Sequence, residues 1–367
     1  MALLEVTGLH VEFRTRDGTV PAVSGVSCRV DAGETLAVLG ESGSGKSVTA
    51  QAVMGILDSP PGRITAGRVL FRGQDLLTLK EERRRRIRGA EMAMIFQDAL
   101  SALNPVLTVG AQLGEMFTVH RGMSRKAARA EAVRLMDRVG IPAAKDRAGD
   151  YPHQFSGGMR QRIMIAMALA LEPALIIADE PTTALDVTVQ AQVMDLLAEL
   201  RRELAMGLVL ITHDLGVVAD VADRIVVMYA GRIVESAPVR DIYRRPAHPY
   251  TEGLLESVPR VDRKGRELYA IKGLPPNPRR IPPGCAFHPR CPRAREVCRT
   301  EVPPLFEVAP ERTSACFFWR ETPGGTGAPD GTEMPGGTEM PDGTEMPGGT
   351  RAPGGTCAPG GTEEGDG

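Results

Sequence analysis

The stretch Gly40, Glu41, Ser42, Gly43, Ser44, Gly45, Lys46, Ser47 constrains this chain more than any other. It fits the pattern G-x-x-x-x-G-K-[ST], follows the short apolar run "TLAVL" (35–39) and leads into the helical pattern "SVTAQAVMGIL". A strand, a glycine-rich turn and a helix in that order make a phosphate cradle. The glycines let successive backbone N–H groups converge on phosphate oxygens, and the helix N-terminus adds its partial positive charge. Lys46 is placed to reach the β- and γ-phosphates, the Ser47 hydroxyl to ligate Mg²⁺, and Val48 opens the helix behind them. A chance glycine-rich turn is the plain alternative, and the flanking strand and helix argue against it.

The rest of the chain fits an α/β domain over residues 1–240. "ALIIAD" (174–179) and "GLVLIT" (207–212) are short continuous apolar runs, as parallel strands covered on both faces require. "LLEVTGLHVEF" and "TVPAVSGVSCRV" alternate apolar and polar residues and read as edge strands with one wet face. "RKAARAEAVRLMDRVG" (125–140) and "TVQAQVMDLLAELRREL" (188–204) read as helices, and "RIVVMYAGRIVES" (224–236) as a hairpin turning at Ala230-Gly231. A net charge of -2 gives no global basic excess, so no nucleic-acid partner is expected. The basic run "KEERRRRIRG" (80–89) reads as a solvated helix face of mixed charge. The N-terminus lacks a secretory leader, and no apolar run approaches the roughly 18 residues that span a bilayer. A cytoplasmic protein is expected, with any membrane role reached through partners.

"ALIIADE" ends a buried strand in Asp179 and Glu180. Asp179 at the strand's C-terminal end can hold the Mg²⁺ shell, and Glu180 can orient and deprotonate an attacking water. The discriminating stretch is "QFSGGMRQRIMIAMALA" (154–170), in which Ser156, Gly157 and Gly158 open a second helix suited to phosphate. Lying between the two strands, it need not reach its own chain's nucleotide. The arrangement makes sense where two such domains face each other.

With these motifs in this order, residues 1 to about 240 resemble the ATP-binding subunits of ABC transporters. The resemblance implies a P-loop ATPase fold with an antiparallel β edge and a helical subdomain at about 98–170. Gln97 in "MIFQDALSALNP" sits where the family has its Q-loop glutamine, which touches the Mg²⁺ and water shell. Asp186 in "TTALDVT" matches the D-loop aspartate of the dimer interface, and His213 in "LITHDL" the switch histidine at the γ-phosphate. Phe13 is the candidate for stacking on adenine, with a core strand position as its alternative. Two positions depart from the family: Met159 follows Ser-Gly-Gly where glutamine is usual, and Asp98-Ala99-Leu100 follows Gln97 where relatives often carry proline. Neither is essential to the chemistry, so ATPase activity is expected.

"SGGMRQR", "MIFQDALSALNP" and "AHPYTEGLLESVP" (247–259) further resemble the oligopeptide/dipeptide/nickel importer branch, the last matching its C-terminal region over residues 241–320. From the residues alone, His248-Pro249-Tyr250 is only a turn before a short helix. The resemblance implies a peripheral subunit on the cytoplasmic face of the membrane. It implies as partners a second ATPase subunit, identical or not, two transmembrane permeases and an extracellular substrate-binding protein. Di- or oligopeptides are the implied cargo, nickel chelates or glutathione the alternatives, and a soluble non-transport ATPase the remoter one.

Cys285, Cys291, Cys298 and Cys316 cluster in residues 284–320. Disulfides, a metal or iron–sulfur site and buried thiols are all open from clustering alone, and a reducing cytoplasm disfavours the first. The spacing Cys285-x₅-Cys291-x₆-Cys298 is too wide for paired C-x₂-C zinc knuckles, and Cys291-Pro292 echoes iron–sulfur ligation. The resemblance implies a [4Fe–4S] cluster, with Zn²⁺ as the alternative, on an appendage set apart from the ATP chemistry. Residues 321–367 repeat "PGGTEM"-like units and Cys357 lies among them. Such a Gly/Pro/Thr-rich tail, with almost nothing apolar to bury, is expected to be disordered.

Overall fold

The computed structural model describes residues 2–183, 185–257 and 270–325. Two β-sheets organise them. In the first, β1 (Leu4–Thr15), β2 (Gly18–Val30), β4 (Gly62–Phe71) and β5 (Gln74–Asp75) run in the order β2-β1-β4-β5, with every pair antiparallel. β1 is therefore an interior strand, not an edge. Its alternation is that of a sheet wet on one face, which an interior antiparallel strand satisfies equally well.

The second sheet is the larger. It contains β3 (Thr35–Leu39), β6 (Met92–Ile95), β7 (Leu175–Asp179), β8 (Gly207–Ile211), β9 (Arg224–Tyr229), β10 (Arg232–Pro238), β11 (Phe306–Ala309) and β12 (Arg312–Ser314). Their order is β11-β12-β10-β9-β3-β8-β7-β6. β6, β7, β8, β3 and β9 are parallel neighbours, and every residue of β3, β6, β7 and β8 is buried. Continuous apolar runs such as "TLAVL" and "LIIAD" suit this position, because helices cover one face and the first sheet covers the other, so no wet face exists to select polar residues. β9 and β10 form the expected hairpin, turning at Ala230 (φ 48°) and Gly231 (φ 78°).

The helices relevant to function are α1 (Lys46–Met54), α2 (Glu81–Ile87), α3 (Ala99–Ala102), α4 (Val109–Arg121), α5 (Arg125–Arg138), α6 (Ala144–Arg147), α7 (Gly157–Leu169) and α8 (Val187–Leu204). Helices α3 to α7 lie between β6 and β7 in the chain and share one core with the buried faces of β7 and β8, centred on Leu113, Met136, Ile163 and Leu197. Met159, which stands where the resembling family usually has glutamine, packs against this core and is contacted by the Arg147 guanidinium at 3.1 Å. On α2 the basic run is paired within its own helix, Arg84 with Glu81 at 2.8 Å and Arg86 with Glu82 at 2.6 Å. Among the described residues no helix is long and apolar enough to cross a membrane.

Beyond residue 240 the described residues pack back onto the domain. β12 pairs with β10, so the β11–β12 hairpin extends the large sheet at its antiparallel end. His248 caps the helix Pro249–Glu256, its Nδ1 accepting from the Tyr250 N–H at 3.0 Å. Tyr250 and Phe287 are buried with Leu39, Val227 and Tyr229 in one cluster on the sheet. Of the tail expected to be disordered, residues 321–325 are described: Thr322 is buried and the Gly324 N–H donates to the Pro246 carbonyl. Residues 326–367, with Cys357, lie outside the described residues.

One buried carboxyl makes this junction pH-sensitive. Glu235 on β10 accepts the N–H groups of Ala247 (2.6 Å) and His248 (2.9 Å), yet full burial pushes its carboxyl up to about 7, with Arg312 only partly offsetting it. A carboxyl raised on folding contributes stability that is complete below its unfolded value near 4.5 and is lost as pH rises toward 7. Burial acts oppositely on His248, pulling it from 6.5 down to about 3, so its contribution is complete above about pH 6.5 and is lost as pH falls toward 3. Glu235→Gln removes the first slope and leaves the second. Relative to wild type, the variant should gain stability by roughly 1 kcal/mol per pH unit between about 4.5 and 7, read by denaturant titration at several pH values. A pH-independent difference would exclude titration of Glu235.

Candidate nucleotide site

β3, β6, β7 and β8 are parallel, so their C-terminal ends Leu39, Ile95, Asp179 and Ile211 lie along one edge of the sheet. The candidate residues leave that edge directly: Gly40 after β3, Gln97 after β6, Asp179 and Glu180 at the end of β7, His213 after β8. Open α/β sheets gather ligands at this edge.

The loop at 40–45 has a backbone that only glycine fits at two points. Gly40 has φ 150°, and a Cβ there would meet the Met228 carbonyl oxygen at 2.2 Å. Gly45 has φ 99°, and a Cβ would meet the Ala22 carbonyl oxygen at 2.6 Å. The loop ends on α1, whose first residue, Lys46, is 5% exposed. Its ammonium donates to the carbonyls of Gly40 (2.7 Å) and Glu41 (3.0 Å). Burial lowers the Lys46 pKa, against the opposing pull of Glu180, Asp179 and Glu41. Ser44 Oγ is buried with no hydrogen-bond partner, an orphan that a phosphate oxygen would satisfy. The loop, Val48, Val20–Ala22, Tyr229–Gly231 and Pro275–Pro278 line a cavity of about 620 Å³. Phe13 is not among the lining residues: it is half-buried against the core between the two sheets.

Beside the loop, the Ser47 hydroxyl donates to Asp179 Oδ1 at 2.9 Å. Burial raises the Asp179 pKa, the Ser47 hydroxyl lowers it and the Glu180 charge raises it further. A hydroxyl and a carboxylate in contact at a phosphate loop form an all-oxygen donor pair suited to a hard divalent cation. Glu180 has φ 48°, a left-handed conformation that a non-glycine residue holds only under constraint. Its Oε2 accepts from Gln97 Nε2 and from Thr183 Oγ1, both at 2.9 Å, while Oε1 lies 3.6 Å from His213 Nδ1. Gln97, Glu180 and His213, which follow three different strand ends and stand 83 and 33 residues apart in sequence order, are thus brought together. Thr183 completes the set; nothing in its sequence context distinguished it from a helix-preceding turn residue.

Ser156, Gly157, Gly158 and Asp186 form a separate group. Ser156 caps α7, its hydroxyl accepting from the Met159 N–H at 3.3 Å, and Asp186 caps α8, accepting from the Val189 N–H at 2.9 Å. A Cβ on Gly158 would meet Val189 Cγ1 at 2.7 Å, so the two helix starts are in contact. Ser156, Gly157 and Asp186 are exposed, and none lines the phosphate-loop cavity.

Cys285, Cys291, Cys298 and Cys316 line one small cavity of about 20 Å³ with His248, Phe287 and Phe317. All four are free thiols, and burial pushes Cys285 up to about 11 and Cys316 up to about 12. Among the described residues no group of three or more His, Cys, Asp or Glu is drawn together tightly enough to hold a metal ion. The segment is not set apart from the phosphate loop. Arg290, immediately before Cys291, forms a two-pronged ion pair with Glu41 at 2.6 and 2.9 Å.

A P-loop on a parallel sheet, with a helical insertion ahead of the Asp179 strand and a Ser-Gly-Gly helix start within it, defines a P-loop nucleoside triphosphatase of the ATP-binding-cassette class. The chain belongs to the ABC transporter family: residues 23–183 match that family, and residues 234–298 match the oligopeptide/dipeptide transporter C-terminal region. It is 55% identical over 301 residues to the dipeptide transport ATP-binding protein DppD of Bacillus subtilis, covering 82% of this chain and 90% of DppD. It is 53% identical over 315 residues to the oligopeptide transport ATP-binding protein OppD of Salmonella typhimurium, covering 86% and 93%. Among solved structures it resembles a dimeric ATP-binding cassette in a post-hydrolysis state bound to ADP and Pi, with TM-score 0.58 and 28% identity over 65% of this chain and 99% of that one.

Proposed function

We propose that the chain is the ATP-hydrolysing subunit of a membrane importer for di- and oligopeptides. The observation that carries this reading is the Glu180 carboxylate, gripped by Gln97 and Thr183 and faced by His213, next to the Ser47–Asp179 pair of the phosphate loop. Peptide as cargo rests on the 234–298 match and on the names of the relatives. In this reading the loop amides and Lys46 hold the β- and γ-phosphates, and Ser47, Asp179 and Gln97 hold Mg²⁺. The cation, when bound, neutralises charge on the phosphate oxygens. Glu180 takes the proton of the attacking water, its carboxylate aimed by Gln97 and Thr183. His213 meets the γ-phosphate end from β8.

Ser156, Gly157, Gly158 and Asp186 serve the partner. Ser156, Gly157 and Asp186 are exposed at two touching helix starts outside their own chain's loop cavity, and with Gly158 they close over the nucleotide of a facing subunit. The chain then works peripherally at the cytoplasmic face, paired with a second ATPase subunit and docked on two permeases fed by an external binding protein. Deleting the gene should abolish uptake of labelled di- and tripeptides. Wild type should restore it and Glu180→Gln should not; unchanged peptide uptake in the deletion would exclude peptide as cargo.

We further propose that the four cysteines ligate a [4Fe–4S] cluster. Four thiols lining one cavity match the number of thiolates that such a cluster takes. Anaerobic purification should give a brown protein whose visible absorbance is lost in a Cys291→Ser chain. A colourless preparation with stoichiometric zinc would defeat the assignment.

A further inference from the structure

Glu41 is the second residue of the phosphate loop, and the C-terminal segment holds it at both its backbone and its side chain. Its N–H donates to the Tyr250 hydroxyl at 2.8 Å. Its carboxylate receives both prongs of the Arg290 guanidinium, Nη1 to Oε2 at 2.6 Å and Nη2 to Oε1 at 2.9 Å. The Arg290 side chain is 5% exposed. Its Nη1 also donates to the Tyr229 hydroxyl at 3.3 Å, its Nε donates to the Lys272 carbonyl at 3.2 Å, and the guanidinium lies 6.0 Å from the Phe287 ring centre. Three residues far apart in the chain, Glu41, Tyr229 and Lys272, thus fix the guanidinium, which makes this a rigid contact rather than a surface pair.

The contact reaches the lysine. The Glu41 carbonyl is one of the two acceptors of the Lys46 ammonium, so a displaced Glu41 displaces the point charge that meets the phosphates. The Tyr250 hydroxyl also occupies one loop amide, which leaves the remaining amides to form the cradle. On the other side, Arg290 sits in the cysteine-bearing turn. The His288 N–H donates to the Cys285 carbonyl at 2.9 Å, the Cys291 N–H to the His288 carbonyl at 3.3 Å, and the Cys285 N–H to the Cys298 carbonyl at 2.9 Å. The same segment supplies Pro275–Pro278 to the wall of the nucleotide cavity.

We propose that Arg290 and Tyr250 are positioning residues for the nucleotide loop, so that the folded cysteine-bearing segment sets the chain's affinity for ATP. The inference rests on residues 40–47 being the phosphate loop, and Lys46→Met tests that premise separately. ATP binding to the full chain is measured by calorimetry with EDTA present, which prevents turnover. Arg290→Met should raise the ATP Kd about tenfold, equivalent to about 1.4 kcal/mol. Arg290→Lys, which keeps the charge and loses the fork, should raise it about threefold. The Glu41→Gln/Arg290→Met chain should bind no worse than the weaker of its two parents, because both changes break one contact. With Mg²⁺ restored, KM should rise while kcat at saturating ATP stays within about twofold. If Arg290→Met does not fold, Arg290→Lys and Tyr250→Phe decide by the same Kd measurement. Folded Arg290 and Tyr250 variants with lowered melting temperature and unchanged ATP Kd would overturn the proposal, as would strictly additive effects in the double variant. If Lys46→Met also binds ATP normally, the loop assignment itself has failed; if only Lys46→Met loses ATP, the positioning role alone has failed.

Discussion

Replacing Glu180 with Gln is expected to leave ATP binding intact and to slow hydrolysis by at least a hundredfold. The geometry makes this a clean exchange. Gln97 Nε2 and Thr183 Oγ1 both donate to the same oxygen, Oε2, and the glutamine carbonyl oxygen placed there accepts both as the carboxylate does. The new amide NH₂ then takes the Oε1 position, 3.6 Å from His213 Nδ1. The left-handed backbone at Glu180 is retained, since glutamine has the same Cβ. What disappears is the proton acceptor, and general-base catalysis contributes about 10² to 10⁴ in rate. Single-turnover hydrolysis beside equilibrium ATP binding separates the two. Wild-type turnover by this variant would remove Glu180 from the role of base and leave Asp179, whose carboxyl is raised by burial and tied to Ser47, as the remaining carboxylate at that strand end.

The same residues show why some of the site was legible in the sequence and some was not. The loop at 40–47 announces itself because its conformational demands are local: Gly40 and Gly45 need left-handed or crowded backbone, and strand and helix flank them directly. Asp179 and Glu180 are legible for a similar reason, since a five-residue buried strand has to end where polar residues begin. The grip on Glu41 carries no such signal. Arg290 lies 249 residues away and Tyr250 lies 209 away, and in the sequence they look like one arginine among many and the third letter of a helix-start turn. The separation expected between the cysteines and the ATP chemistry failed for the same reason: β12 pairs with β10, and this long-range pairing folds the segment back onto the sheet. Phe13 pairs with Val20 and Gly62 in the first sheet and is half-buried against the core, the strand position that stood as the alternative to stacking.

Lys46→Met should weaken ATP binding by about a hundredfold and should do so without unfolding the chain. Lys46 is buried, and its ammonium is held by two loop carbonyls, Gly40 and Glu41, which have no cation of their own to turn to. A methionine fills most of the volume of the lysine stem, so packing under α1 is preserved. The lost charge-assisted bonds to phosphate are each worth about 1.5–3 kcal/mol, and one such loss alone is a factor of roughly 10 to 100. Two further consequences follow from the charges around it. Lys46 lowers the Asp179 pKa, so its removal should push that carboxyl higher still and move the ATPase pH profile of any residual activity upward. The carboxylates of Glu41, Asp179 and Glu180 also lose their shared counter-charge, which Arg290 supplies to Glu41 alone. Asp179 and Glu180 then face each other across an unbalanced site, and ADP, with one phosphate fewer, should discriminate less between variant and wild type than ATP does. Equal weakening for ATP and ADP would mean that Lys46 acts on the loop's shape, through the Gly40 and Glu41 carbonyls, and not on the terminal phosphate.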